Sequence, residues 1–259
     1  MLFRGEGDGL IAISQPAHAW VSGQLARRWG NAQFGGFEPH EEVCLAAALH
    51  DIGFVEWEEQ PTLNPETGLP FTFLELPTRA HLEIWSAGIR HMLGYGRYPA
   101  WLVSAHYTWL CRGHPSDSAA DRRLERRFLE EQEELQTTLE TSLLNDFYHE
   151  ARATNQALER NRQFVSLWDW LSLLLCMGLH EERIVDNVPT AEGIGEIRLK
   201  PLNAEGTRIG IAPWPFATES LEVLCEGRHL LKRYETEAKM RKALRAASPV
   251  TVNMELVPE

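Results

Sequence analysis

Residues 164–179 read FVSLWDWLSLLLCMGL. The run is apolar nearly throughout, yet it contains one carboxylate, Asp169. A membrane span needs about 20 consecutive apolar residues, so this shorter, interrupted run reads as the most buried helix of a folded domain. An unpaired charge inside such a helix costs several kcal/mol. A chain that keeps Asp169 there must supply a partner: a backbone amide, an arginine or a metal ion.

The chain N-terminal to this run is also helical in pattern. After a short edge strand in residues 1–13 (GLIAIS), Ser14 reads as an N-cap and Pro16 as a first-turn residue of a helix reaching about Trp29. A second helix runs through EEVCLAAALHDIGF, with acids at its start to suit the helix dipole. The Pro- and Gly-rich stretch EEQPTLNPETGLPFTFLELP (58–77) reads as a long functional loop. Thr78 then reads as the cap of RAHLEIWSAGIRHMLGYG, and YPAWLVSAHYTWLC follows as another helix. The stretch AADRRLERRFLEEQEELQTTLE reads as a long amphipathic helix with Leu124, Phe128, Leu135 and Leu139 on one stripe. NQALERNRQF leads into the Asp169 helix.

Beyond about residue 183, GEIRLKPL, TRIGIAPWPF, LEVLCEGRHLL and VTVNMELVP alternate in the manner of strands, with TEAKMRKALRAA as a short helix among them. The expectation is a mostly α fold. Residues 1–182 form a helical domain that carries the site, and residues 183–259 form a small β-rich subdomain packed on it.

The 259 residues are 44% hydrophobic and carry a formal net charge of −12, which argues against a nucleic-acid polymer as partner. All four lysines, Lys200, Lys232, Lys239 and Lys242, lie at or beyond position 200, so a cation in the helical part is Arg or His. Cys44, Cys111, Cys176 and Cys225 are far apart without a CxxC pair and read as buried small hydrophobes of a reducing compartment. With no signal-peptide pattern at the start, a cytoplasmic protein without a membrane segment is expected, and a homodimer is left open.

The partner for Asp169 is sought among the histidines. His50 and Asp51 open the motif HDIG at the end of an apolar helix. His18, His81 and His106 also fall among apolar neighbours. One such histidine reads as a core residue with a backbone partner, but four of them with two buried acids read as a ligand set. Imidazole and carboxylate suit Fe, Mn, Zn, Ni or Mg. His18, His50, Asp51, His81, His106 and Asp169 are therefore candidate ligands for one or two divalent or transition metal ions, which together would clamp an oxyanion and activate water. Asp51 doubles as a candidate catalytic group. Glu58, just after the doublet, is a candidate general base, and Tyr107 and Arg112, which follow His106, are candidate substrate contacts. His91 and His114 are weaker alternatives to His81 and His106, and His40, His149, His180 and His229 read as surface residues.

The order of these residues resembles the HD-domain superfamily of metal-dependent phosphohydrolases. The resemblance covers about residues 14–180. It matches His18, the His50–Asp51 doublet and Asp169, with His81 and His106 in the interval where two-metal members carry further histidines. The stretches QPAHAWVSGQLARRW, ALHDIGFVEWEEQPTL, WLVSAHYTWL and WDWLSLLLC look closest to an uncharacterised bacterial family grouped with it. The resemblance implies an HD-type helical bundle and metal-dependent hydrolysis of a phosphate ester or nucleotide-like substrate, hence a small anionic partner. Some features depart from that pattern. Phe54 stands where cyclic-dinucleotide phosphodiesterases carry Lys, His106 is followed by Tyr107 in place of a second His, and no GYP-type signature is present. Only Arg79, Arg90, Arg97 and Arg112 stand near as phosphate contacts. The same ligand set also resembles the di-iron oxygenase branch, which cleaves C–C or C–P bonds. A non-catalytic ligand-binding module is the third reading.

Overall fold

The run around Asp169 is the C-terminal part of one long helix, α7 (Asn155–Met177). Thr154 caps its start by accepting from the Ala157 amide, and Gly178, at φ +89°, ends it in a conformation that a side chain would strain. The computed structural model describes residues 1–7, 9–230 and 233–259; Asp8, Leu231 and Lys232, including the last leucine of the strand pattern LEVLCEGRHLL, lie outside the described residues. Trp168 is fully buried against the rings of Trp29, Phe37 and Phe164. Side chains of this size each contribute about 1.5–3 kcal/mol when buried.

Three further helices surround α7: α1 (Gln15–Ala26), α2 (His40–Leu49) and α5 (Arg97–Gly113). Ser14 caps α1 through its hydroxyl, as its sequence position suggests. Helices α1 and α2 approach closely because Gly23 lacks a side chain; a Cβ there would lie 2.5 Å from that of Ala48. The short α3 (Phe54–Glu59) follows the HDIG motif, and α4 (Thr78–Leu93) and α6 (Ala119–Leu144) pack on α5. Pro77, not Thr78, is the N-cap of α4; the Thr78 hydroxyl instead meets that of Ser116 at 3.1 Å. The predicted stripe of α6 faces inward, with Phe128 and Leu139 buried and Leu124 and Leu135 packed against the core.

The mostly α expectation, and the wholly helical bundle with it, is corrected by the strands. Among the described residues, about 48% is helix and 22% strand, and seven strands form one curled sheet. They are β1 (Leu2–Glu6), β2 (Gly9–Ile13), β5 (Arg183–Pro189), β6 (Ile194–Pro201), β7 (Arg208–Ala212), β8 (Leu221–Leu230) and β9 (Pro249–Pro258), while β3 (Leu63–Asn64) and β4 (Leu69–Pro70) pair separately within the long loop. The sheet order is β1-β2-β8-β9-β7-β6-β5, antiparallel except between β7 and β9. The fold is mixed α/β.

The physical reason lies in long-range pairing. Strands β1 and β2 pair antiparallel, with Leu2 opposite Ile13, and β2 joins the C-terminal strands by pairing with β8, with Leu10 opposite Leu230 and Ile13 opposite Gly227. The sheet therefore draws strands from both sides of residue 182. Gly227 permits this junction, since a Cβ there would lie 2.3 Å from the Ile11 side chain.

The inner sheet face, with Val188, Ile197, Ile209, Val223 and Met254, shares one continuous core with the helices. Helix α1 lies on β8, and α7 lies on β1 and β5. Helix α8 (Glu237–Ala246) covers a smaller core of Met1, Ala12, Leu230, Met240 and Leu244. The sheet thus braces α1 and α7, the helices that hold His18 and Asp169.

Candidate metal centre

Four elements deliver five titratable side chains to one interior point. His18 comes from the second turn of α1, His50 and Asp51 from the end of α2, His106 from α5 and Asp169 from α7. His18, His50 and His106 are no more than 1% exposed, and the Asp169 carboxylate, at 13%, is the most open of the five. Two overlapping triads have ligand-capable atoms within 4.8 Å of one another: His18–His50–Asp51 and His50–His106–Asp169.

Hydrogen-bond accounting fixes two of the rings. The His50 Nδ1–H donates to the Ala47 carbonyl at 2.9 Å. Its Nε2 is left facing Asp169 Oδ1 at 3.2 Å and Asp51 Oδ2 at 3.7 Å, buried and without a hydrogen-bond partner. Ser172 gives its hydroxyl hydrogen to the Asp169 carbonyl at 2.8 Å, so it accepts from His18 Nδ1 at 2.9 Å. The His18 Nε2 then faces Asp51 Oδ2 at 2.9 Å. In the neutral tautomers both Nε2 lone pairs point at carboxylate oxygens. Only a proton or a metal cation between them makes that arrangement favourable.

The spacing fits a cation. Bonds of 2.0–2.2 Å to nitrogen and oxygen put neighbouring ligand atoms of a tetrahedral site about 3.3–3.6 Å apart, and the distances here, 2.9–3.7 Å, bracket that range. The other oxygen of Asp51 is also held: the Tyr107 hydroxyl donates to Oδ1 at 3.0 Å and touches the His50 carbonyl. Tyr107 is itself stacked on Trp85.

The electrostatics follow from burial and proximity. For His50, burial alone would lower the pKa, but the Asp51 and Asp169 carboxylates override it and push it up to about 9. For Asp51 and Asp169, burial opposes ionisation, yet the facing histidines hold both below the usual carboxylate range. His106 is pushed down, chiefly by burial, and so is the ring of His81, to about 4.

Not every sequence candidate reaches the cluster. The His81 ring lies against Phe54 and Trp85 and belongs to neither triad. The Glu58 carboxylate is nearly buried and accepts from the Gln15 amide at 3.0 Å and the Met1 amino group at 2.9 Å; burial pushes its pKa up. Arg112 sits on the surface, paired with Glu133 of α6. His91 and His114 are exposed. Of the residues read as surface, His149 is largely enclosed, between Glu42 and Asp146.

Ser172, Ser166 and Arg162 were not singled out from the sequence. Ser166 and Ser172 stand three residues before and after Asp169, and their helical spacing to it was the signal available. Ser166 Oγ lies 2.9 Å from His106 Nδ1 and receives a hydrogen bond from Arg162 at 3.2 Å.

A mixed α/β protein with a buried His/Asp cluster among its helices is the class that fold and site define. Residues 1–232 match the family described as "Protein of unknown function (DUF3891)", and the chain belongs to that family. No curated protein and no solved structure matches it. The HD-domain resemblance is thereby corrected: the family shown is a different one, and the seven-stranded sheet is foreign to a wholly helical HD bundle. Among the described residues, no helix is long and apolar enough to cross a membrane.

Proposed function

We propose that this protein is a metal-dependent hydrolase of a small anionic substrate, a phosphate ester, with the cation held by His18, His50, Asp51 and Asp169. The observation that carries the reading is the inward pair of Nε2 atoms. Each is aimed at carboxylate oxygen while its Nδ1 is committed elsewhere. A nitrogen and oxygen donor set of this kind suits Mn, Fe, Zn or Ni better than a soft ion.

A divalent cation there would polarise a phosphoryl oxygen and acidify a water molecule. The chain's own residues do the rest. Asp51 and Asp169 supply two negative charges to balance the ion. Tyr107 and Ser172 hold the ligands in orientation, as hydrogen-bonded outer groups do in metal sites. Asp169, the most exposed of the cluster, marks the side from which water would reach the ion. The nearby cation Arg162 is engaged by Glu159, so the metal would attract the anion.

Purified protein, loaded in turn with Mn2+, Zn2+, Fe2+ or Ni2+, is assayed against aryl phosphate mono- and diesters. Metal-dependent release that is lost in Asp51→Ala supports the reading. Metal-bound protein inactive on every ester, or an iron pair with a mixed-valence electron paramagnetic resonance signal, contradicts it.

A further inference from the structure

Both triads draw on His50, and His50 has one nitrogen to give. Its Nδ1 is spent on the Ala47 carbonyl, so Nε2 alone can ligate. A cation that takes His50 with His18, Asp51 and one oxygen of Asp169 leaves the second triad only His106 and the other Asp169 oxygen. That is fewer than the three protein ligands a catalytic ion ordinarily keeps.

His106 is also held differently from the other two rings. Ser172 must accept from His18, because its own hydrogen goes to the Asp169 carbonyl. Ser166 accepts instead from the Arg162 guanidinium, which can only donate. The hydroxyl hydrogen of Ser166 is then free for His106 Nδ1 at 2.9 Å. Given to Nδ1, that hydrogen leaves the ring proton on Nε2, which faces Asp169 Oδ2 at 3.4 Å, buried and without a formed hydrogen bond. Arg162 is fixed in turn by Glu159, at 2.8 and 2.6 Å, and lies 5.2 Å from the centre of the Trp109 ring.

We propose that the centre holds one resident cation per chain and that His106 is not its ligand. His106 is a positioning residue. Its Nε2–H, set by Ser166 and Arg162, steadies Asp169 from the side away from His50. This rests on the metal reading above.

The test is a Zn2+ titration of the full chain, with dialysis and metal analysis, together with nitrogen NMR of 15N-histidine-labelled protein. The wild type takes up one equivalent. His106→Ala still takes up one, with affinity reduced about 10- to 100-fold as for a lost outer partner, whereas His50→Ala, losing a ligand, falls by more than that. On wild-type protein, the His106 ring keeps its Nε2–H signature after one equivalent, while His18 and His50 shift at Nε2. Ser166→Ala moves the His106 tautomer toward Nδ1–H, which a merely structural serine would not do. Two tight equivalents, or a metal-shifted His106 Nε2 at one equivalent, overturn the proposal but leave the metal reading standing. No uptake at all by the wild type removes the metal reading and this inference together.

Discussion

His50 Nε2 stands 3.2 Å from Asp169 Oδ1, and the other nitrogen of that ring is already bonded to the Ala47 carbonyl. One histidine therefore presents a single, fixed lone pair to a carboxylate from a helix more than a hundred residues away. The pair needs a cation, and a proton serves when no metal is present.

This gives the metal-free protein a pH dependence of definite sign. His50 titrates near 6.5 when unfolded and at about 9 when folded. The stability this contributes is fully present below about pH 6.5 and is lost as pH rises through about 9, a change on the order of 3 kcal/mol. Urea midpoints of chelator-treated protein should fall over that window, and the fall should vanish in His50→Gln. A flat profile between pH 6.5 and 9 would refute it.

Metal must displace that proton. At pH 7 the metal-free His50 is protonated, so cation binding releases protons and tightens as pH rises. Calorimetric titrations in two buffers of different ionisation enthalpy should show a net release of about one proton or more. Equal heats in both buffers would show that no proton leaves.

Tyr107→Phe removes one hydroxyl and leaves Asp51 Oδ1 without its donor in the interior. A lost bond to a buried charged group costs about 1.5–3 kcal/mol, and metal affinity should drop about 10- to 100-fold. Unchanged affinity and unchanged melting temperature would remove Tyr107 from the centre's support.

Gly53→Ala tests the backbone approach behind the doublet. A Cβ at Gly53 would lie 2.2 Å from the Ile84 carbonyl oxygen and 2.7 Å from the Gly88 amide nitrogen. Both are helix backbone atoms of α4 and cannot turn aside as a side chain can. Overpacking of this kind costs about 1–3 kcal/mol or more, readable as a lower denaturation midpoint. A neutral substitution would show that α3 and α4 are farther apart.

The centre was more legible in the sequence than the fold. His18, His50, Asp51, His106 and Asp169 stand out because each interrupts an apolar helical pattern, and such interruptions survive without knowledge of tertiary contacts. His81 interrupts a pattern too, but its ring lies against Phe54 and Trp85. Burial among aromatics and burial in a histidine–carboxylate cluster leave the same mark on a sequence. Arg112 follows His106 closely in sequence, yet it lies near the exposed end of α5, where Glu133 takes it.

The sheet was hidden for a different reason. The C-terminal strands alternate visibly, but nothing local in residues 1–13 says that Leu10 will pair with Leu230. Pairing across the length of the chain is decided by the shared core, not by the composition of the short N-terminal strands.

The most direct measurement is X-ray diffraction from metal-loaded crystals, with anomalous data on both sides of the metal absorption edge. One anomalous peak per chain is expected within bonding distance of His18 Nε2, His50 Nε2, Asp51 and Asp169. Fully loaded protein with no peak there, or with its peak on other residues, would contradict the metal reading.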